Sequence, residues 1–197
     1  APFSATMPQR IREIASEHLQ APVEVSITSQ ATTNTNIEQC YWLVKGTNKL
    51  DALGRFLSVE DTQGVIVFVR TRESTSAIAE QLRQRGFSVA PLNGDIDQKT
   101  RIKTVEQLKD GRLDVIVATD VAARGLDVER ITHVINYDIP FDRESYVHRI
   151  GRTGRAGRAG KAILFVAPRE RRMLQNIERV TRQKIQSIEL PSFADID

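Results

Sequence analysis

Val65-Ile66-Val67-Phe68-Val69 is five apolar residues in a row, four of them β-branched, with no polar residue to mark a solvent face. A run so short and so evenly apolar reads as a strand covered on both sides. The pattern returns at Leu113-Asp114-Val115-Ile116-Val117-Ala118 and, less purely, over residues 37–45, 87–92, 131–137 and 162–166. Between these runs the periodicity changes from two to about 3.6. Leu50, Leu53, Phe56 and Leu57 fall on one helical face, and residues 73–85, 97–109, 142–150 and 168–183 read as further helices, with Gly86 and Gly111 as stops. Strands alternating with amphipathic helices predict an α/β fold: a mostly parallel sheet with helices on both faces. Ligands of such sheets bind beyond the carboxyl ends of the strands.

The 197 residues suit one globular unit with a substantial core, and 40% hydrophobic with 27% charged residues is ordinary for a soluble protein. Lys and Arg number 28 against 25 Asp and Glu, a surplus of only +3 that is concentrated after residue 142. A single cysteine, Cys40 in an apolar run, excludes an intrachain disulfide framework and reads as a small buried hydrophobe. His18, His133 and His148 lack metal-ligand spacing, so no metal site is expected. With no apolar stretch of membrane-spanning length and no export leader, the expected setting is cytoplasmic, away from membranes. Ahead of the alternating region, Thr6 and Pro8 open a short amphipathic helix carrying Ile11, Ile14 and Leu19. Val23, Val25 and Ile27 then alternate, and residues 28–36 have linker composition.

The densest chemistry lies in Tyr146-Val-His-Arg-Ile-Gly-Arg-Thr-Gly-Arg-Ala-Gly-Arg-Ala-Gly160, with arginines at 149, 152, 155 and 158 interleaved with glycines. Guanidinium forks match phosphate oxygens, and glycine lets backbone approach a ligand. Such a device serves a phosphodiester strand or a phosphoryl group in transfer, and a solvated basic loop is the bland alternative. Polar groups also follow the strands: Arg70-Thr71-Arg72, Asn93-Gly94-Asp95, and Thr119-Asp120 leading to Ala123-Arg124-Gly125-Leu126-Asp127. Taken singly, Thr71, Ser74 and Asp97 are ordinary helix N-caps, and Gly94 and Gly125 ordinary turn glycines. The chain has no G-x-x-x-x-G-K-[ST] loop, since Lys161 is followed by Ala162, and no dinucleotide fingerprint or nucleophile elbow. Phosphate-grasping groups without a phosphate cradle look like half of an active site.

These residues resemble the C-terminal RecA-like domain of DEAD-box RNA helicases, most closely the bacterial cold-shock type. Val67-Phe68-Val69-Arg70-Thr71 is similar to motif IV and Gln98-Lys99-Thr100-Arg101 to motif IVa. Ala118-Thr119-Asp120 through Asp127 is similar to motif V, and His148-Arg149-Ile150-Gly151-Arg152-Thr153-Gly154-Arg155 to motif VI. Phe3-Ser4-Ala5-Thr6-Met7-Pro8 resembles motif III of the first helicase domain. The resemblance thus implies a tail of domain 1 over residues 1–28, a linker over 29–36, and domain 2 over 37–197: a RecA-like, P-loop NTPase-type domain lacking its own P-loop. The tail is expected not to pack into the main core.

In that family ATP lies between the two domains, and domain 1 holds the phosphates and Mg2+. The resemblance implies arginine-finger roles for Arg152 and Arg155, ribose contact for Asp127 with Gly125 alongside, and a link from His148 to the partner domain. RNA backbone contacts are implied for Arg70, Thr71, Gly94, Arg101, Thr119 and Arg124. Expected partners are RNA, bound without regard to sequence, domain 1 of the same protein, and ribosomal or RNA-decay factors. Two other readings stay open from the residues: a stand-alone RNA-binding module, and a DNA helicase domain of the same superfamily.

Overall fold

The run at residue 65 is a strand, β2 (Val65–Phe68), and all four of its side chains are buried. The computed structural model describes residues 36–45, 48–181 and 185–188. The expected domain-1 tail, its helix and strand, and all of the linker but Asn36 lie outside the described residues, as do residues 182 and 183 of the last expected helix. The strands are β1 (Ile37–Leu43), β2, β3 (Val89–Leu92), β4 (Val115–Ala118), β5 (His133–Asn136), β6 (Gly160–Val166) and β7 (Gln186–Ser187). They form one sheet in the order β3-β4-β2-β5-β6-β1-β7, and every pairing is parallel. The helices are α1 (Lys49–Val59), α2 (Arg72–Gln84), α3 (Gln98–Asp110), α4 (Asp120–Ala123), α5 (Arg143–Ile150) and α6 (Arg171–Thr181).

Although β2 and β4 read as unbroken apolar runs, the side chains of the strands still alternate between faces. Ile66, Phe68, Ile116, Ala118, Val134 and Leu164 join Leu108 of α3, Tyr146 and Ile150 of α5, and Leu174 and Ile177 of α6 on one face. Val65, Val67, Val115, Val117, Ile135 and Ile163 join Leu53, Phe56 and Leu57 of α1 and Ala79 and Leu82 of α2 on the other. A fully buried side chain of this size stabilises by about 1.5–3 kcal/mol, so the two-sided cover explains why no polar residue interrupts β2 or β4.

Helix boundaries follow local chemistry. Asn48, Thr71, Asp97, Thr119 and Asp142 cap α1 to α5 with side-chain oxygens that accept backbone N–H groups. Gly111 ends α3 at φ 88, in the left-handed region. The segment expected as a helix from residue 168 begins as a 3-10 turn, Pro168–Glu170, before α6 starts at Arg171. Cys40 is buried, and burial raises its thiol pKa before the Glu38 carboxylate adds to the effect.

Candidate functional site

Three adjacent strands, β3, β4 and β2, deliver polar turns and helix starts to the carboxyl edge of the sheet. Thr71 Oγ1 accepts from the Ser74 N–H at 3.1 Å, and Asp97 Oδ1 from the Thr100 N–H at 2.8 Å. Thr119 Oγ1 accepts from the Ala122 N–H at 3.4 Å. Between them, Asn93 builds the turn that presents Gly94: its Oδ1 accepts from the Asp95 N–H at 2.8 Å, and its Nδ2 donates to Thr75 Oγ1 at 2.8 Å. Gly94 itself faces open space. The edge thus offers N–H groups at the starts of α2 and α3 together with hydroxyls, a surface suited to anions. Arg70 stands at its rim, its backbone N–H bonded to Asp138 Oδ2 at 2.8 Å and its Nη2 to the Ile139 carbonyl at 3.3 Å.

The second group, Asp127, Arg152 and Arg155, does not stand on this edge. α5 carries the chain back down the sheet, so Thr153 and Gly154 pack beside the first residues of β6 and β1. A Cβ on Gly160 would come within 2.5 Å of Thr153 Oγ1, and one on Gly154 within 2.8 Å of Ile37 Cγ1. These two glycines therefore serve internal packing rather than ligand approach. Arg152 donates from Nη1 to the Leu126 carbonyl at 2.5 Å and from Nε to the His148 carbonyl at 3.3 Å. Arg155 pairs with Asp127, Nε to Oδ1 at 2.7 Å, and donates from Nη1 to the Gly151 carbonyl at 3.0 Å. Burial lowers the pKa of Arg152, and the charge of Arg155 lowers it further, against an opposing pull from Asp127. An arginine so shifted still carries its charge at neutral pH.

A cleft of ≈ 240 Å³ reaches Arg152 from the end of β2, lined by Phe68 and Asp120, by Ala123, Arg124 and Gly125, and by Ser145, His148, Arg149 and Arg152. His148 is exposed on its wall. Gly125 takes φ 79 there, a left-handed conformation, with open space where a Cβ would stand.

Arg149 departs from the sequence reading of the arginine run as a phosphate grip. Only 4% of it is exposed, and its fork holds Asp120 from Nε at 2.7 Å and Nη2 at 2.9 Å. Its Nη1 donates to the Asp138 carbonyl at 2.6 Å and to Asn136 Oδ1 at 3.2 Å. The signal was available in the helical spacing, since Tyr146, Arg149 and Ile150 share one buried stripe of α5. Arg101, placed by motif IVa, donates to the carbonyls of Ala122 and Arg124, so its guanidinium is already engaged with the loop after β4. Arg158 donates to the Glu129 carbonyl at 3.0 Å. Among the described residues no cluster of His, Cys, Asp or Glu could hold a metal ion, and no helix is long and apolar enough to cross a membrane.

Residues 48–157 match the model of the helicase conserved C-terminal domain. The ATP-dependent RNA helicase DeaD of Escherichia coli is 59% identical over 190 residues, which are 96% of this chain and 30% of that protein. The chain thus spans about a third of the length of such relatives. Among solved structures, the E. coli DEAD-box protein SrmB, bound to regulator of ribonuclease activity A, superposes with a TM-score of 0.74 at 35% identity, over 83% of this chain and 95% of that one. The S. cerevisiae protein Dbp5, bound to RNA and ADP BeF3, superposes with a TM-score of 0.78 at 30% identity, over 95% of this chain and 50% of that one. An all-parallel RecA-like sheet, motifs V and VI joined across one cleft, and a family match over more than half of the chain have one meaning: the chain belongs to the helicase conserved C-terminal domain family, in its DEAD-box branch.

Proposed function

We propose that the chain is the second half of an RNA-dependent ATPase that unwinds RNA duplexes, completing an ATP site whose phosphate cradle and Mg2+ belong to the first helicase domain. The observation that carries this is the pairing of Arg152 and Arg155 beside Asp127, with both guanidinium groups oriented by carbonyls of the motif V and VI segments. Two forks side by side suit a triphosphate, whereas the single carboxylate of Asp127, already paired with Arg155, supplies too few ligands for a magnesium ion, which fits a shared site. ATP would meet Arg152 and Arg155 at its γ-phosphate and Asp127 at its ribose hydroxyls, with Gly125 alongside and His148 toward the first domain. As the γ-phosphoryl group transfers, negative charge spreads over its oxygens, and guanidinium groups delivered across the cleft stabilise the side that the first domain leaves open. Arg155 must exchange its Asp127 partner for phosphate as Asp127 turns to the ribose.

The carboxyl edge would take the RNA backbone, through Thr71, Gly94 and Thr119 with Arg70 and Arg124 near them, and with Arg101 at the loop it steadies. Helix starts and hydroxyls hold phosphates without reading bases, which is why this binding is expected to be largely independent of sequence. That Dbp5 is bound to both RNA and ADP BeF3 supports a reading in which this chain meets both kinds of ligand. The test joins this chain to the first domain of its own protein and measures RNA-stimulated ATP hydrolysis. Arg152→Ala and Arg155→Ala should each slow turnover by at least about a hundredfold, and the lysine variants should rescue poorly. Normal hydrolysis by both alanine variants, coupled with lost RNA binding, would place the arginines on the strand-binding surface instead.

A further inference from the structure

Among the described residues four large apolar side chains stand well exposed, Val59, Ile102, Val121 and Phe141. Phe141 is the most open, at 73%, and the only aromatic one. It lies between β5 and α5 on the carboxyl edge, in a short connection fixed on both sides. Ile139 and Pro140 before it are buried, and Asp142 after it caps α5 by accepting the Ser145 N–H at 2.8 Å. The ring also has a cationic neighbour, since the Arg70 guanidinium lies 5.0 Å from its centroid. Arg70 is itself anchored to the same connection through Asp138 and the Ile139 carbonyl. β5 adjoins β2, so the ring stands beside the Arg70-Thr71 turn and the start of α2.

An exposed aromatic ring costs solvation unless something covers it, and a rigid one can be covered with little further loss of entropy. We propose that Phe141, backed by Arg70, is a stacking platform for one nucleobase of an RNA strand whose phosphates run along the neighbouring helix starts. This inference rests on the reading of the carboxyl edge as the RNA-binding side. The chemistry fits a nucleotide better than an apolar protein surface, because ring and guanidinium together match the base and phosphate of a single unit. Base–aromatic stacking tolerates any base, with the larger purines covering more of the ring. Binding that is otherwise indifferent to sequence thereby acquires one position at which a base is required and a purine preferred.

The experiment measures binding of this chain to end-labelled single-stranded RNA by fluorescence anisotropy, with one abasic sugar moved along the strand. The native protein should lose about five- to a hundredfold in affinity at one position and little elsewhere. Phe141→Ala should show the same loss with intact RNA and no further loss at that position, while Phe141→Trp should keep the native pattern. Because the ring is exposed, thermal unfolding should be unchanged in both variants, which separates binding from folding. If Phe141→Ala binds RNA like the native chain, the stacking site is wrong while the RNA-facing edge stands. If it binds RNA normally but associates less with the first domain, the ring is a protein contact and the proposal falls. If the native chain shows no salt-sensitive RNA binding, the edge reading and the stacking site fall together.

Discussion

Arg149→Ala should destabilise the fold rather than simply weaken a ligand. The guanidinium is buried, makes two bonds to Asp120, one to the Asp138 carbonyl and one to Asn136 Oδ1, and lies 5.2 Å over the ring of Phe68. Truncation strands an Asp120 carboxylate, a carbonyl and an amide oxygen of Asn136, a residue with 0% exposure. Breaking a buried ion pair from one side costs about 3–5 kcal/mol. The Asp120 side chain is 43% exposed and regains water, which puts the expected loss at the lower end, about 3 kcal/mol. At roughly 2–4 °C per kcal/mol for a chain of this size, the thermal midpoint should fall by about 6–12 °C.

Lysine keeps the charge but lacks the planar fork, so Arg149→Lys should recover only part of the loss. Combining Arg149→Met with Asp120→Ala should cost less than the sum of the two single changes, by about 0.5–3 kcal/mol, since the partners are in contact. Urea titrations followed by circular dichroism give all of these values. A loss below about 1 kcal/mol for Arg149→Ala, particularly one accompanied by weaker RNA or nucleotide binding, would refute the structural role and return Arg149 to the phosphate-gripping set.

Gly160→Ala should cost about 3 kcal/mol, the upper end for overpacking, because the new Cβ meets buried Thr153 and the backbone nitrogen of Gly154 at 2.7 Å; a urea midpoint within error of the native one would remove that packing argument. Stability should also decline on acidification in two stages. Burial holds His133 below its ordinary 6.5, the hydrogen bond and charge of Glu60 only partly offsetting it. The 3.2 Å contact with Glu60 is thus a hydrogen bond of a neutral ring, because Lys161, at 3.1 Å from the same oxygen, already answers the carboxylate. Burial pushes Glu60 upward, but Lys161 and His133 outweigh it and hold the carboxyl below its ordinary 4.5. Both folded values are depressed, so the unfolded chain binds more protons; stability present above each ordinary pKa is lost as pH falls toward the folded one. The urea midpoint should fall between about pH 7 and 5 and more steeply below about 4.5, and His133→Gln should flatten the upper stage; a native midpoint constant between pH 7 and 5 would contradict this.

The strands were legible because burial on both faces leaves a compositional trace: Val115, Ile116 and Val117 are apolar whichever face each serves. Caps were legible because their chemistry is local, as at Thr71 and Asp97, though Ser74, read as a third, instead donates its N–H to Thr71. α4 and β7 were not, since one helical turn and a two-residue strand are too short to show a period. The arginines were legible by type and spacing, but a guanidinium that will bind a carboxylate looks the same in sequence as one that will bind phosphate. The stripe of Tyr146, Arg149 and Ile150 was the one hint that this arginine turns inward. The placement of Arg152 and Arg155 was lost for a topological reason. The rule that ligands gather at carboxyl ends applies to residues directly after a strand, and these two follow a helix that has already turned back.

That turn decides how the two halves of the site are connected. The loop after β4 begins at Thr119 on the carboxyl edge and ends at Asp127 beside the two arginines, and it is held along its length by arginines from elsewhere. Arg149 binds Asp120, Arg101 binds the carbonyls of Ala122 and Arg124, Arg152 binds the carbonyl of Leu126, and Arg155 binds Asp127. Alternate residues from Asp120 to Leu126 are therefore fixed by guanidinium groups, each a rigid planar donor rather than a flexible point charge. Arg149 lies on α5 and Arg152 two residues beyond its end, so a displacement of that helix moves both ends of the loop together. Of the groups that would meet RNA, Thr119 and Arg124 thus share one loop with the groups that would meet phosphate, the physical connection that any coupling between the two contacts would need.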